Sequence, residues 1–187
     1  EYYRDHSLHV FRVFLFGDYV VRRYLKGYDH LTIKSCPKPI SAGEKEAMWC
    51  IIALCHDLGY PLQKLDELNK KLISILDYFG TSNFQRIRFN LPLEGVVLDK
   101  YILKILSSKL VKVEENKYLT RIQSKYFSKY SNAYERLSHG IMSCILLMKN
   151  LVYFKETDYK ECFEEKGSDS TYLEDVRQYM IRREILR

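Results

Sequence analysis

The sequence predicts a single, compact, multi-helix domain of the all-α class, and three observations lead to this prediction. Apolar residues recur at the three- and four-residue spacing of an α-helix through most of the 187 residues. Apolar residue types make up 47% of the chain, which is enough to form a sizeable core and argues against disorder. The alternating pattern typical of strands is weak, and no internal repeat is visible.

The first half of the chain divides into three predicted helices. The first spans residues 5–25, and its apolar positions are expected to form a broad buried face. The second opens with a capping-box pattern at Ser41–Glu44 and reaches about Leu58. The third covers about residues 62–79, and the proline-containing segment 28–40 is expected to be a loop.

The second half is also predicted to be helical, with two loops. Glycine, serine, asparagine and proline mark residues 80–95 as a loop, and the charged segment 155–169 is expected to be another. A second capping-box pattern, Thr171–Glu174, opens the last helix. Further helices are predicted near residues 96–111, 117–130 and 134–153.

Composition excludes several classes of protein. No apolar run reaches the ~18 residues that a membrane-spanning helix needs, and the polar start is unlike a signal peptide. Five cysteines without a CxxC pair predict free thiols and a cytoplasmic setting. The chain lacks an initial methionine and stops within a helical pattern, so residues 1–187 are expected to be one domain of a longer protein.

The most informative motif is the adjacent pair His56 and Asp57, which ends a strongly apolar run. A carboxylate avoids apolar surroundings unless a partner offsets its desolvation, and a divalent metal is such a partner. His6 and His9 lie three residues apart and therefore share one helix face. Together with His139, these residues place candidate ligands on three helices, which a bundle can bring to one point.

In order and separation, these motifs resemble the HD superfamily of metal-dependent phosphohydrolases. The resemblance covers roughly residues 4–150, and its most specific part is the His-Asp-Leu-Gly segment 56–59. It looks closest to the branch that contains the deoxynucleoside triphosphate triphosphohydrolases. Cyclic-nucleotide phosphodiesterases and CRISPR-associated nucleases share the same core. The resemblance implies an HD-domain bundle with a metal site in its core.

The resemblance also implies roles for individual residues. The predicted metal ligands are His9, His56, Asp57 and His139, and the predicted catalytic residues are Asp57, His139 and His6. Asp57 would bind or bridge metal, and His139 would bind a second metal or touch the substrate. His9 is preferred to His6 as the first ligand, and His6 then becomes a supporting or substrate-side group.

Departures from the family pattern keep two alternatives open. The triphosphohydrolases carry additional histidines after the His-Asp pair, where this chain has Tyr60, Gln63 and Leu65. The last aspartate ligand of the family has candidates by position only, namely Asp158, Asp169 and Asp175. The alternatives are a catalytically degenerate nucleotide-sensing or regulatory module, and a nuclease domain of a larger assembly.

Ligand chemistry narrows the expected cofactor and substrate. Mixed histidine and carboxylate ligation suits one or two ions of Mn, Fe, Co, Ni or Zn better than Mg. Arg4, Arg12 and Lys64 lie close in sequence to the proposed ligands and are predicted to bind a substrate phosphate. Tyr60 is a candidate for stacking on a base. A nucleotide is the first expectation for the substrate, and nucleic acid is the second.

The net charge of +6 comes from the middle of the chain, where residues 61–130 carry 13 basic and 7 acidic residues. Four cations spaced every four residues are predicted to share one helix face, interleaved with tyrosines: Lys117, Arg121, Lys125 and Lys129. Such a face is usually only solvated, but it can also contact phosphates and bases. No membrane partner is expected, a homo-oligomer is possible, and His30 is expected to be solvated.

Overall fold

The structure, a computed structural model, describes residues 4–33, 36–80, 93–114, 117–157, 159–164 and 171–187. The α-helices are α1 (Arg4–Tyr24), α2 (Ala42–Cys55), α3 (Tyr60–Tyr78), α4 (Leu93–Ser107), α5 (Ser124–Glu135), α6 (His139–Asn150), α7 (Val152–Lys155) and α8 (Thr171–Leu186). The strands are β1 (Ser108–Glu114), β2 (Lys117–Ile122) and β3 (Cys162–Glu164). A short 3-10 turn covers Tyr28–His30.

The fold is mostly helical, as predicted, but the all-α prediction did not include a small three-stranded antiparallel sheet in the order β1-β2-β3. Leu110 of β1 pairs with Thr120 of β2, and Tyr118 of β2 pairs with Phe163 of β3. All four side chains are buried, so one side of the sheet belongs to the core. β3 lies within the segment 155–169 that was expected to be a loop.

The helix predicted over 96–111 ends early for a local reason. The Ser107 hydroxyl donates to the carbonyl of Leu103 at 2.7 Å, and the Ser108 hydroxyl donates to that of Ile105 at 2.7 Å. These bonds satisfy carbonyls at the end of α4, and the chain continues from Ser108 as β1. The loop predicted over 80–95 lies largely outside the described residues, although α4 already begins at Leu93.

The helices predicted over 117–130 and 134–153 are wrong in their boundaries. The first is β2 followed by α5, so Lys117 and Arg121 lie on a strand while Lys125 and Lys129 lie on a helix. The four cations therefore do not share one helix face. In the second, Leu137 adopts a φ of 50°, which separates α5 from α6.

The core lies among α4, α6, α8 and the sheet. Val176 and Met180 of α8 are completely buried, as are Ile102 and Ile105 of α4. α6 buries nearly its whole length, from Ile141 onward. Because α6 begins at His139, this packing fixes the position of one predicted site residue.

The first helix, α1, packs mainly on α2 through a glycine and a tryptophan. A Cβ atom at Gly17 would lie 1.9 Å from the Trp49 ring, so only glycine permits this approach. The Trp49 indole N–H donates to the carbonyl of Phe14 at 3.2 Å. The opposite face of α1 is exposed, which contradicts the broad buried face expected from these residues: Leu8, Phe11, Leu15 and Tyr19.

The structure bears on three expectations from the sequence, which concern a membrane-spanning helix, the cysteines and His30. Within the described residues, no helix is both long enough and apolar enough to cross a membrane. The five cysteines are all free, as predicted. His30 is exposed, as expected, whereas the predicted homo-oligomer stays a prediction.

An ion pair joins the start of α2 to α8. Ser41 and Glu44 form the predicted capping box at the start of α2, with the Ser41 backbone N–H donating to Glu44 at 2.9 Å. The same carboxylate accepts from the guanidinium of Arg177, a buried residue of α8. The guanidinium and the capping hydrogen bonds lower the pKa of Glu44 from 4.5 to about 2.

We expect Glu44→Gln to lower the stability of the protein at pH 7 by about 1 kcal/mol, a small value because the carboxylate is partly exposed. A lowered pKa in the folded state stabilises the fold above the ordinary pKa of 4.5 and ceases to do so as the pH falls towards 2. The difference in melting temperature between wild type and variant should therefore shrink over that range. A difference independent of pH would contradict this account.

Candidate metal centre

The turn between α2 and α3 carries Asp57, whose side chain is only 12% exposed. Four imidazole Nε2 atoms face its carboxylate. Those of His56, His6 and His9 lie 3.2, 3.5 and 3.6 Å from Oδ2, and that of His139 lies 3.7 Å from Oδ1. Three distant segments of the chain therefore meet at one carboxylate, and they bring together every histidine except His30.

Both histidines of α1 reach the carboxylate because they lie one helical turn apart on the same face. Their ring centroids are 6.2 Å apart, and the His9 ring lies 5.6 Å from that of His56. The structure thus places both candidates for the first ligand at the site. The donor atoms of His9, His56 and Asp57 all lie within 4.8 Å of one another.

Hydrogen bonds on the far side of two rings set their tautomers. Nδ1 of His56 lies 2.8 Å from the carbonyl oxygen of Ala53, and Nδ1 of His139 lies 2.8 Å from Oε1 of Gln63. Because each oxygen can only accept, Nδ1 carries the proton in both rings. In the neutral rings, the lone pair of Nε2 therefore points towards Asp57, as metal ligation requires.

The donor atoms fit a shared cation. Nε2 of His6 is buried and has no hydrogen-bond partner among the described residues. Lone pairs facing a carboxylate at 3.2–3.7 Å need a positive charge or protons between them. Ligands held ~2.1 Å from one ion lie roughly 3–3.5 Å from each other. The distances from the Asp57 oxygens to the imidazole nitrogens are therefore close to those between two ligands of one ion.

The start of α6 is held directly against the His-Asp turn. The Ser143 hydroxyl donates to the carbonyl of His56 at 2.8 Å and accepts from the backbone N–H of Gly59 at 2.8 Å. A Cβ atom at Gly59 would lie 2.3 Å from the carbonyl oxygen of His139. Only glycine at this position lets the turn approach α6 closely enough for His139 to reach Asp57.

The predicted substrate-side residues lie around this centre. The Tyr60 ring stacks on His6 at 4.9 Å and meets His139 edge-on at 6.3 Å. Nζ of Lys64 lies 5.2 Å from the Tyr60 ring centroid and 2.8 Å from Glu67, which raises the lysine pKa. Arg12 is exposed on α1, one turn beyond His9. The side chain of Arg4 lies outside the described part of the molecule.

The candidates for a last aspartate ligand are not brought to the site. Asp175 is exposed on α8 and lines a separate cavity beside Lys160. Asp158 and Asp169 lie outside the described residues. In the described part of the chain, the group of clustered metal donors is His9, His56 and Asp57, so Asp57 is its single acid.

Sequence reasoning missed the residue that orients His139. Gln63 was considered only as a position where a histidine was absent. Its Oε1 also accepts from the backbone N–H of His139 at 3.1 Å, and its amide N–H donates to Glu67 at 3.1 Å. One sequence feature could have indicated this role: Gln63 lies one turn into the helix that follows the His-Asp pair.

Comparisons of the chain with protein-family models, with curated proteins and with solved structures give no match.

We expect Gln63→Leu to weaken metal binding by about 10- to 100-fold, because His139 loses the acceptor that fixes its tautomer. The measurement is isothermal titration of the purified protein with Mn²⁺. Gln63→Glu is the matched control, since it keeps an oxygen acceptor at the same position and should bind more tightly than Gln63→Leu. Equal affinity of wild type and Gln63→Leu would show that this hydrogen bond does not support the centre.

Proposed function

We propose that this chain is a metal-dependent phosphohydrolase of the HD type that acts on a nucleotide or another phosphoester. The observation that supports the proposal best is the convergence of four imidazole Nε2 atoms, at 3.2–3.7 Å, on the carboxylate of Asp57, whose side chain is 12% exposed. The resemblance of the His-Asp motif and its flanking histidines to the HD superfamily supports it independently.

The proposed cofactor is one or two divalent ions, with Mn, Fe, Co, Ni or Zn preferred to Mg because most of the donors are imidazoles. His9, His56 and Asp57 are the proposed ligands, with His139 or His6 completing the set. Bound there, a divalent ion would polarise a phosphoryl oxygen and activate water for attack on phosphorus. The orphaned Nε2 of His6 is compatible with this assignment.

The protein groups have separate tasks in this proposal. Ala53 and Gln63 hold His56 and His139 in the required tautomers. His139 is the more accessible of these two rings, with 44% of its side chain exposed. If His6 completes the ligand set, Nε2 of His139 would be free to exchange a proton with a bound phosphoester. Asp57 supplies the negative charge that keeps a cation at the centre.

The substrate side is aromatic and basic. The Tyr60 ring lies beside His6 and His139, the ammonium of Lys64 lies over the Tyr60 ring, and Arg12 is exposed on the next turn of α1. A ring and several cations suit a nucleotide, whose base can stack while its phosphates are neutralised. The five free cysteines support a reducing, cytoplasmic setting.

One observation favours the second candidate, a nucleotide-sensing or regulatory module without catalysis. The described residues bring a single carboxylate, Asp57, to the cluster. A centre with one acid can retain its ligand geometry and still lack a group needed for turnover. The nuclease alternative is less favoured, because the basic stripe is divided between β2 and α5 and Lys117 is paired with Glu164 at 2.5 Å.

The first test is the metal content of the purified protein, measured by mass spectrometry after growth with added transition metals. We expect one or two equivalents in wild type and a fall to about a tenth or less in His56→Ala. His30→Ala is the matched control, because His30 is the one exposed histidine outside the cluster, and it should keep its metal. Equal metal in all three proteins would refute the centre.

The second test is hydrolysis of nucleoside triphosphates, cyclic nucleotides and a model phosphodiester under Mn²⁺ and Mg²⁺. We expect Asp57→Ala to lose about a hundredfold or more of the activity, since it removes the acid of the centre. Asp77→Asn, an exposed acid near the end of α3, should leave the rate unchanged. A protein that binds nucleotide but hydrolyses nothing would favour the sensor instead.

A further inference from the structure

A second cavity lies behind the metal centre, where α2, α4, α5, α6 and α8 meet. Its volume is about 320 Å³, which lies at the lower end of the range for small-molecule sites. The walls are predominantly apolar and are built by Ile52, Leu106, Ile141, Leu147, Ile185 and Leu186. This composition suits the hydrocarbon part of a ligand.

Two cations also line this cavity, Lys129 from α5 and Arg187 after α8. Both side chains are exposed, and neither forms an ion pair within the described residues. The Arg187 guanidinium lies 5.3 Å from the Tyr126 ring, which stacks at 6.3 Å on Tyr130, a lining residue. Of the four cations of the predicted basic stripe, only Lys129 lines this cavity.

The buried polar side chains of the wall, Ser143 and Cys144, are already occupied. The Ser143 hydroxyl donates to His56 and accepts from Gly59. The Cys144 thiol donates to the carbonyl of Leu186 at 2.7 Å, and burial raises its pKa to about 12, so it stays neutral. In this buried part of the cavity a base or sugar would find no free side-chain partner for its polar atoms, and each unpaired atom would weaken binding. An aliphatic chain has no such requirement.

We propose that this cavity binds an aliphatic carboxylate, with its chain among the apolar walls and its carboxylate at Lys129 and Arg187. An apolar cavity of about 150 Å³ holds a benzene ring, so 320 Å³ suits roughly a dozen non-hydrogen atoms, about the size of decanoate. The proposal does not depend on the proposed hydrolase activity. The two sites share a wall at His56 and Ser143 but use different chemistry.

The test is isothermal titration of the purified chain with sodium decanoate below its micellar concentration. We expect a single site with a Kd on the order of 10–100 µM. Decanol lacks the charge and acetate lacks the chain, so both should bind at least about fivefold more weakly. Decyl phosphate distinguishes the source of the anion, and binding tighter than that of decanoate would replace the carboxylate with a phosphate headgroup.

Two variants locate the site. Ala133→Leu adds three carbons to the cavity wall and should abolish decanoate binding while the circular dichroism spectrum and melting temperature stay close to wild type. Lys129→Gln should weaken binding about fivefold. Lys125→Gln, one turn earlier on α5 and not part of the wall, is the matched control and should bind as wild type does.

Several outcomes would overturn the proposal: no heat on titration, equal binding of decanol and decanoate, or unchanged affinity in Ala133→Leu and Lys129→Gln. Displacement of decanoate by a short single-stranded oligonucleotide would assign the basic rim to nucleic acid instead. Asp57→Ala should bind decanoate normally, since it alters only the metal centre. Failure of the hydrolase proposal and failure of this one are thereby distinguishable.

Discussion

The carboxylate of Asp57 is the group on which the arrangement of the candidate metal centre depends. Its side chain is 12% exposed, and four imidazole nitrogens face it, of which the buried Nε2 of His6 has no hydrogen-bond partner among the described residues. A charge that is mostly shielded from water is unfavourable unless a cation or protons offset it. Three helices and one turn meet at this point. The sequence features that bring them together are single residues.

Each of these features fixes the distance between two elements. Gly17 lets α1 lie against Trp49, and Gly59 lets the His-Asp turn lie against the backbone of α6. Ser143 bonds to both sides of that turn. Arg177 ties the start of α2 to the buried helix α8. The centre is therefore built on positions where backbones approach closely, and the packed core supports it from behind.

Local patterns in the sequence were sufficient for most of the helices and for the identities of the clustered histidines. The capping box at Ser41–Glu44 and the two histidines one turn apart depend only on near neighbours, so both could be predicted. β1 could not, because Ser108 leaves the helical path to pair with Ile122, a partner distant in sequence. The role of Gln63 could not be predicted either, because its contact with His139 depends on where α6 packs.

The elements that carry the candidate ligands are held to the rest of the protein to different degrees. This difference affects how a cation would enter or leave the site. His56, Asp57 and His139 sit on a turn and a helix clamped together by Ser143 and supported by the core. His6 and His9 sit on a helix that packs mainly on α2 and leaves its outer face in solvent. Local opening of α1 would remove two imidazoles at once and leave a three-donor cradle exposed to water. Exchange of the ion would then follow the fraying rate of the first helix rather than the unfolding rate of the domain.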